Sequence, residues 1–206
     1  MINSYLNAFV SLFVVIDPVA LVPMFIALTQ RMTSHDRNKT AYTACLISTV
    51  LLLIFAFGGE LLLKLMGITN AAFQIAGGFL LMIAAVEMVI AHHTGMTSTT
   101  PHEEKEASLS RDISVFPLAI PLISGPGAFT TVILFLQDDT SLLHQLILVG
   151  IILIVIGITF LFLRAAPFLQ KILGVTGSNV MTRVFGIILT ALATQFIISG
   201  IKRAFF

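Results

Sequence analysis

Charge is scarce in this chain. Asp, Glu, Lys and Arg together make up 10% of 206 residues, against roughly 25% in a soluble domain, so a solvated surface of that size cannot be built. Scarce charge also excludes a disordered chain, which needs many charged and few apolar residues. Neither sign dominates: the net charge is +1, which leaves no electrostatic footprint for nucleic acid. One cysteine, Cys45, excludes a disulfide framework and a thiolate metal site. Tryptophan is absent, and 17 Phe carry nearly all the aromatic area. What is abundant is hydrocarbon. Hydrophobic residues reach 57% and the mean hydropathy is +1.03. The composition is that of a polytopic membrane protein.

Six stretches approach the roughly 20 apolar residues that a membrane-crossing helix needs: 4–29, 41–64, 71–91, 113–136, 142–164 and 179–201. Runs such as Leu51-Leu52-Leu53-Ile54-Phe55 do not alternate in polarity, so strands of a barrel are excluded. Polar separators fall at Arg31–Lys39, at Gly67-Ile68-Thr69-Asn70, at His92–Asp112, at Asp138-Asp139 and at Pro167–Ser178. The first stretch reads as a span rather than a secretory signal, because no Lys or Arg precedes it and no small-residue cleavage pattern follows. With the N-terminus outside, the inner loops hold Arg31, Arg37, Lys39, Lys105, Arg111, Arg164, Lys171 and Arg183, against Lys64, Lys202 and Arg203 outside. The positive-inside rule therefore predicts both termini on the non-cytoplasmic side.

The chain repeats itself. Asp17-Pro18 lies 108 residues before Gly125-Pro126, and the same offset carries Gly78 onto Gly186 and Glu87 onto Gln195. An offset of 107 carries Lys64-Leu65-Met66-Gly67-Ile68-Thr69 onto Lys171-Ile172-Leu173-Gly174-Val175-Thr176. Residues 1–94 and 113–206 then form two three-helix repeats joined by a polar linker, 95–112. Three spans per repeat make the second enter from the opposite side, which is the inverted construction of many secondary transporters. The expected fold is an all-α membrane protein of six helices in two inverted repeats, with helices one and four broken.

Prolines mark the breaks. Pro18 and Pro23 lie near the middle of the first span; Pro117, Pro121 and Pro126 punctuate the fourth. Proline removes a ladder hydrogen bond, and free backbone groups at membrane depth are tolerated only within protein or beside a watery cavity. Gly125-Pro126-Gly127 leaves the backbone uncovered, and a helix restarting at Ala128 would aim free N–H groups and its positive dipole end into the gap.

Phe116-Pro117-Leu118-Ala119-Ile120-Pro121, followed by Ser124-Gly125-Pro126-Gly127-Ala128, resembles the MarC family. Asp17-Pro18 with Pro23, Arg37-Asn38-Lys39, Ile75-Ala76-Gly77-Gly78, Arg183 to Gly186, Gln195-Phe196-Ile197 and Gly200-Ile201 extend the likeness over nearly the whole chain. Ala20 departs from it, standing where a glycine often follows the Asp-Pro pair. The resemblance implies six helices in a bacterial inner membrane, or an archaeal plasma membrane, and transport of small neutral amino acids such as glycine and alanine.

The polar residues of the spans sort by depth. Asp17 sits halfway along its span, where a carboxylate is costly enough to suggest a substrate ammonium, a cation or a proton as its partner. The resemblance admits Asn at this position, which argues against an obligatory proton carrier. Glu60 precedes Lys64 by one turn, as an interfacial ion pair does. Glu87, near a span end, is placed to face headgroups, and Arg183 is close enough to a boundary to snorkel. Thr130, Thr131 and Gln195 can line a cavity or bond across helices; Gly77-Gly78 and Gly186 permit close helix packing. His92, His93, His102 and Glu103-Glu104-Glu106 show no metal-ligand spacing and read as a solvated loop.

An intramembrane protease needs a buried Ser–His pair or two buried Asp. All five His fall in loops or at span ends, and only Asp17 is central, so an enzyme is not expected. A channel would need filter rings, and hence several copies of so small a chain. A non-transporting scaffold or regulatory subunit predicts no midplane cavity, and export of another small metabolite remains the alternative within transport. The expectation is a secondary transporter that holds a zwitterion between the two breaks. Its carboxylate would lie on the amides of Gly127, Ala128 and Phe129, assisted by Thr130 and Thr131, and its ammonium toward Asp17 and Pro18, with little room for a side chain beside Gly125 and Pro126. A proton or sodium ion fits such a site as coupling partner, a homo-oligomer is compatible, and no cofactor is implied.

Overall fold

The computed structural model describes residues 2–90, 113–137 and 141–205; the linker with its His and Glu residues lies outside them. Every regular element among the described residues is helical. Helices α1 (Ile2–Ile16) and α2 (Pro18–Leu28) form the first span, and α3 (Ser34–Leu65) and α4 (Asn70–Ile90) the next two. A widely wound segment, Ser114–Ile123, leads into α5 (Pro126–Gln137), followed by α6 (Leu142–Arg164) and α7 (Ala166–Phe205). Among the described residues, five spans are long and apolar enough to cross a membrane, and six if Ser114–Ile123 and α5, bent by 56°, count as one.

The bundle is apolar outside as well as inside. On α3, Leu46, Val50, Ile54, Phe57 and Leu61 recur every three or four residues and are about half exposed or more. Such a stripe would be untenable in water and is what lipid requires.

Starts and stops follow from single residues. Thr33 caps α3 by accepting from Asp36 N (3.2 Å), and Ser141 caps α6 through His144 N (3.4 Å). Gly67 turns the chain between α3 and α4 with φ 69°, a conformation costly for residues bearing a Cβ. The stretch Pro167–Ser178 does separate the last two spans, Leu142–Arg164 and Val180–Phe205, but it is helical on either side of a kink at Gly174 and so belongs to α7. Phe168-Leu169-Gln170-Lys171-Ile172-Leu173 contains no helix breaker, and the irregularity shrinks to Gly174 (φ 60°).

The two broken spans are interleaved with the helices of the opposite half. α1 and α2 pack on α6 and α7, whereas Ser114–Ile123 and α5 pack on α3, and α5 also on α4. α3 meets α6, and α4 meets α7 along its length. In that last pair a Cβ on Gly78 would lie 2.9 Å from Ala193 O and against Ile197, one on Gly186 3.1 Å from Ala85 O and against Val89, and one on Gly200 3.0 Å from Ala71 O. The residue numbers run in opposite senses, so the helices are antiparallel, and glycine is what lets their backbones approach.

Gly78→Leu and Gly186→Leu are each expected to destabilise the chain by about 1–3 kcal/mol through overpacking. Gly58→Leu, where a side chain meets nothing within 4 Å, should be nearly neutral. Thermal unfolding of the three variants in one detergent checks this; equal midpoints would show that the α4–α7 contact is not tight.

Candidate functional site

The first break is a single residue. Asp17 still donates its N–H to Phe13 O (3.0 Å), then adopts a left-handed conformation, φ 46° and ψ 71°, which Asp and Asn tolerate better than other residues with a side chain. Its Oδ1 accepts from Ala20 N at 3.2 Å, capping α2, and Pro18 occupies the first helical position, where it suits the turn. Pro23 lies inside α2 without ending it. Asp17 is only 6% exposed, yet its Oδ2 has no hydrogen-bond partner among the described residues.

The second break is broader. Phe116 and Ile120 are driven to extended geometry (φ −128° and −127°) because each precedes a proline, which excludes the helical region. Around each of them the chain closes a wide turn, Leu118 N to Ile113 O (3.4 Å) and Ser124 N to Ala119 O (2.8 Å). Ser124 Oγ reaches across to donate to Ser48 O on α3 (3.3 Å). At Gly125 a Cβ would press on Pro121 O (2.7 Å), so the tight entry to α5 requires glycine.

α1 reaches α5 at Gly127. A Cβ there would land on the Leu81 side chain and 3.0 Å from Val15 Cγ1, so α1, just before Asp17, touches the first turn of α5. Of the three amides expected to be free, that of Phe129 donates to Gly125 O (3.2 Å); those of Gly127 and Ala128 precede this first ladder bond. The hydroxyls of Thr130 and Thr131 turn back onto their own helix, to Pro126 O (2.9 Å) and Gly127 O (2.8 Å), as Thr commonly does in apolar surroundings.

Beside this turn lies an apolar pocket of about 180 Å³ between α3, α4 and α5. Pro126, Phe129, Thr130, Gly59 and Gly77 are among its lining residues, and the ring of Phe129 stacks on Phe55 at 4.0 Å.

Other polar residues are distributed differently from the sequence reading. Glu60 pairs with Lys64 at 2.7 Å on the surface, as expected, and an exposed i,i+4 pair contributes little to stability. Glu87, expected among headgroups, is buried at 7% exposure, because α7 covers that face of α4. Arg183 and Gln195 are exposed; Gln195 does not line the centre but bonds Ser199 Oγ from its Nε2 (3.1 Å), since α7 turns Leu189, Ala193 and Gly186 inward instead. Gly77 and Gly78 do pack closely, against Thr130 and α7 respectively.

Three residues carry more than the sequence indicated. Ser48 Oγ and Gln74 Oε1 are buried without partners among the described residues; Gln74 is signalled by its polarity in an apolar span, whereas a serine is too common to stand out. His144 is buried, with Nε2 2.9 Å from Phe135 O and its ring stacked on Phe135 at 4.2 Å. It holds the last turn of α5 to α6, a role its position at a span end did not announce.

The chain matches the model of the "MarC family integral membrane protein" over residues 2–205. It is 38% identical to the UPF0056 membrane protein YhcE of Escherichia coli, covering 98% of this chain and 93% of that one. It is 36% identical to the UPF0056 membrane protein MJ1677 of Methanocaldococcus jannaschii, covering 98% of each. With the UPF0056 membrane protein YvbG of Bacillus subtilis it shares 35% identity over 100% of this chain and 97% of the other. No solved structure matches it.

Proposed function

The chain belongs to the MarC family of integral membrane proteins, and from that premise we propose that it is a secondary transporter of small neutral amino acids in the cytoplasmic membrane. The observation that carries the reading is the pair of helix breaks, Asp17-Pro18 and Gly125-Pro126, placed 108 residues apart, with Val15 of α1 packed beside Gly127 of α5. Paired breaks in a transporter mark the binding site, because they alone offer unladdered backbone inside the bilayer.

The reading includes two inverted repeats, and several features support it. Helix starts at Pro18 and Pro126 and caps at Thr33 and Ser141 obey the offset of 108, and Gly67 and Gly174, 107 apart, are both left-handed. In the α4–α7 contact, Gly78 meets Ala193 and Ile197 while Gly186 meets Ala85 and Val89. Each contact is the other shifted by 108, which is the signature of an isologous, two-fold interface. Between antiparallel spans, that axis lies in the membrane plane.

On this reading the substrate carboxylate accepts from the amides of Gly127 and Ala128, where the α5 dipole favours an anion, and Asp17 Oδ2 receives the ammonium. Leu81 and Val15 now fill the space over Gly127, so the conformation is closed there and binding requires them to withdraw. The eight-to-three Lys and Arg asymmetry orients both termini away from the cytoplasm.

The test is counterflow of labelled glycine and alanine in proteoliposomes, with sodium and proton gradients imposed separately. Saturable exchange that depends on the protein is expected. Its absence across a full panel of neutral amino acids would end the reading.

A further inference from the structure

We propose that the pocket between α3, α4 and α5 is a binding site for one acyl chain of a membrane phospholipid, which enters sideways from the bilayer and rests on the first turn of α5. The inference is independent of the transport reading, because it uses only the packing around α5 and the medium beside it.

A tight turn at Gly67 joins α3 to α4, yet the two helices scarcely touch among the described residues, whereas α5 packs on both. The pocket is therefore a groove with α3 and α4 as walls and α5 as floor. Its side is open to lipid. Leu62, on the lining, is 48% exposed and adjoins Leu61, where the lipid-facing stripe of α3 ends. Along α3 the lining runs from Phe55 to Leu63, about 12 Å at the rise of a helix, so the groove follows the long axis of its walls as an extended chain would.

The chemistry of the lining selects hydrocarbon. Thr130 is the one polar lining residue, and its hydroxyl is already bonded to Pro126 O (2.9 Å). Water would find no partner among these side chains, and an apolar cavity of roughly 150 Å³ stays dry; this one holds about 180 Å³. The medium at its mouth is lipid tails, as apolar as the leucines beside them.

The two halves differ at this point. Pro126 lines the groove and is exposed although it lies in the middle of its span, whereas Pro18, 108 residues earlier, is buried. Ile133, on the lining, corresponds to Phe25, which is fully buried. Of two equivalent prolines, the fold covers one with its own side chains and leaves the other to hydrocarbon from outside the chain.

Tryptophan is absent from the chain, so a single introduced indole reports its own surroundings. Phe129→Trp places one on the groove floor and Phe57→Trp one on the lipid-facing stripe. In proteoliposomes of phosphatidylcholine brominated near the terminal methyl, Phe129→Trp should be quenched to within about twofold of Phe57→Trp, and aqueous iodide should leave it bright. Adding Ala76→Leu, which puts a larger side chain on the groove lining, should remove about half of that lipid quenching or more and leave Phe57→Trp unchanged. Quenching by iodide, alone or with the brominated lipid, makes the groove a watery vestibule and overturns the proposal. Quenching by neither means that the groove is closed in the bilayer, which overturns it as well. Lipid quenching that survives Ala76→Leu undiminished comes from the lipid surrounding the bundle and does the same. Phe73→Trp, nearer the α3–α4 turn on the same lining, decides by these criteria if Phe129→Trp fails to fold.

Discussion

Asp17→Asn is expected to lower amino-acid counterflow about tenfold or more while leaving the folded chain intact. The substitution is unusually clean at this position. Asparagine caps a helix as well as aspartate and tolerates the left-handed conformation that residue 17 adopts, so the bond to Ala20 N and the start of α2 survive. What changes is the atom at Oδ2, which is buried and unpartnered among the described residues. An acceptor bearing negative charge becomes an N–H₂ donor, and a donor placed against a substrate ammonium repels it. One charge-assisted interaction of ordinary strength, about 1.5–3 kcal/mol, would account for such a factor. Counterflow and thermal unfolding measured on the same preparation separate the outcomes. Wild-type transport by the asparagine variant would reduce Asp17 to a backbone cap. Asp17→Ala serves as the contrast, because it loses the cap, about 1 kcal/mol, and also strains the left-handed backbone.

The breaks were legible in the sequence because their causes are local. Proline removes a donor wherever it stands, and Gly125-Pro126-Gly127 can hardly remain helical. The glycines of α4 and α7 were legible for a related reason: Gly78 and Gly186, one offset apart, have no use in a lipid-facing helix except to let another backbone approach. Depth was legible for Asp17, whose position near the centre of an apolar run admits little else than burial.

Direction around a helix was harder to read. Gln195 and Glu87 are related by the repeat offset, yet Gln195 is exposed and Glu87 buried. In lipid both faces of a helix are apolar, so the periodicity that reveals the inner face of a soluble helix is weak. The hydroxyls of Thr130 and Thr131 illustrate a second limit. Their residue type suggests ligands, but a carbonyl one turn earlier is always within reach, and in a dry environment that local bond wins. The pocket was beyond the sequence altogether. It is lined by residues of α3, α4 and α5 together, a coincidence of three elements that only their packing reveals.

Gly127→Val is expected to abolish transport, and the structure supplies two physical reasons that one additional exchange can separate. A side chain at residue 127 occupies the place where a carboxylate would meet the α5 amides. It also collides with Leu81 and presses on Val15, which alone could spread the two breaks apart. Leu81→Ala removes the first collision. By itself this exchange of a buried leucine should cost about 2–5 kcal/mol. Combined with Gly127→Ala it should show a favourable coupling of about 0.5–3 kcal/mol in thermal unfolding, because the alanine methyl enters the space that the leucine vacates. Stability and transport then part company. If the open backbone at Gly127 is the carboxylate site, the double variant regains stability relative to the sum of its parts and still fails to exchange glycine, since the new methyl sits over the amides. If Gly127 serves only to let α1, α4 and α5 pack, transport returns to the level of Leu81→Ala alone as the packing is relieved. That second outcome would remove the carboxylate from α5, and with it the polarity assigned to the bound zwitterion, while leaving the paired breaks as they are.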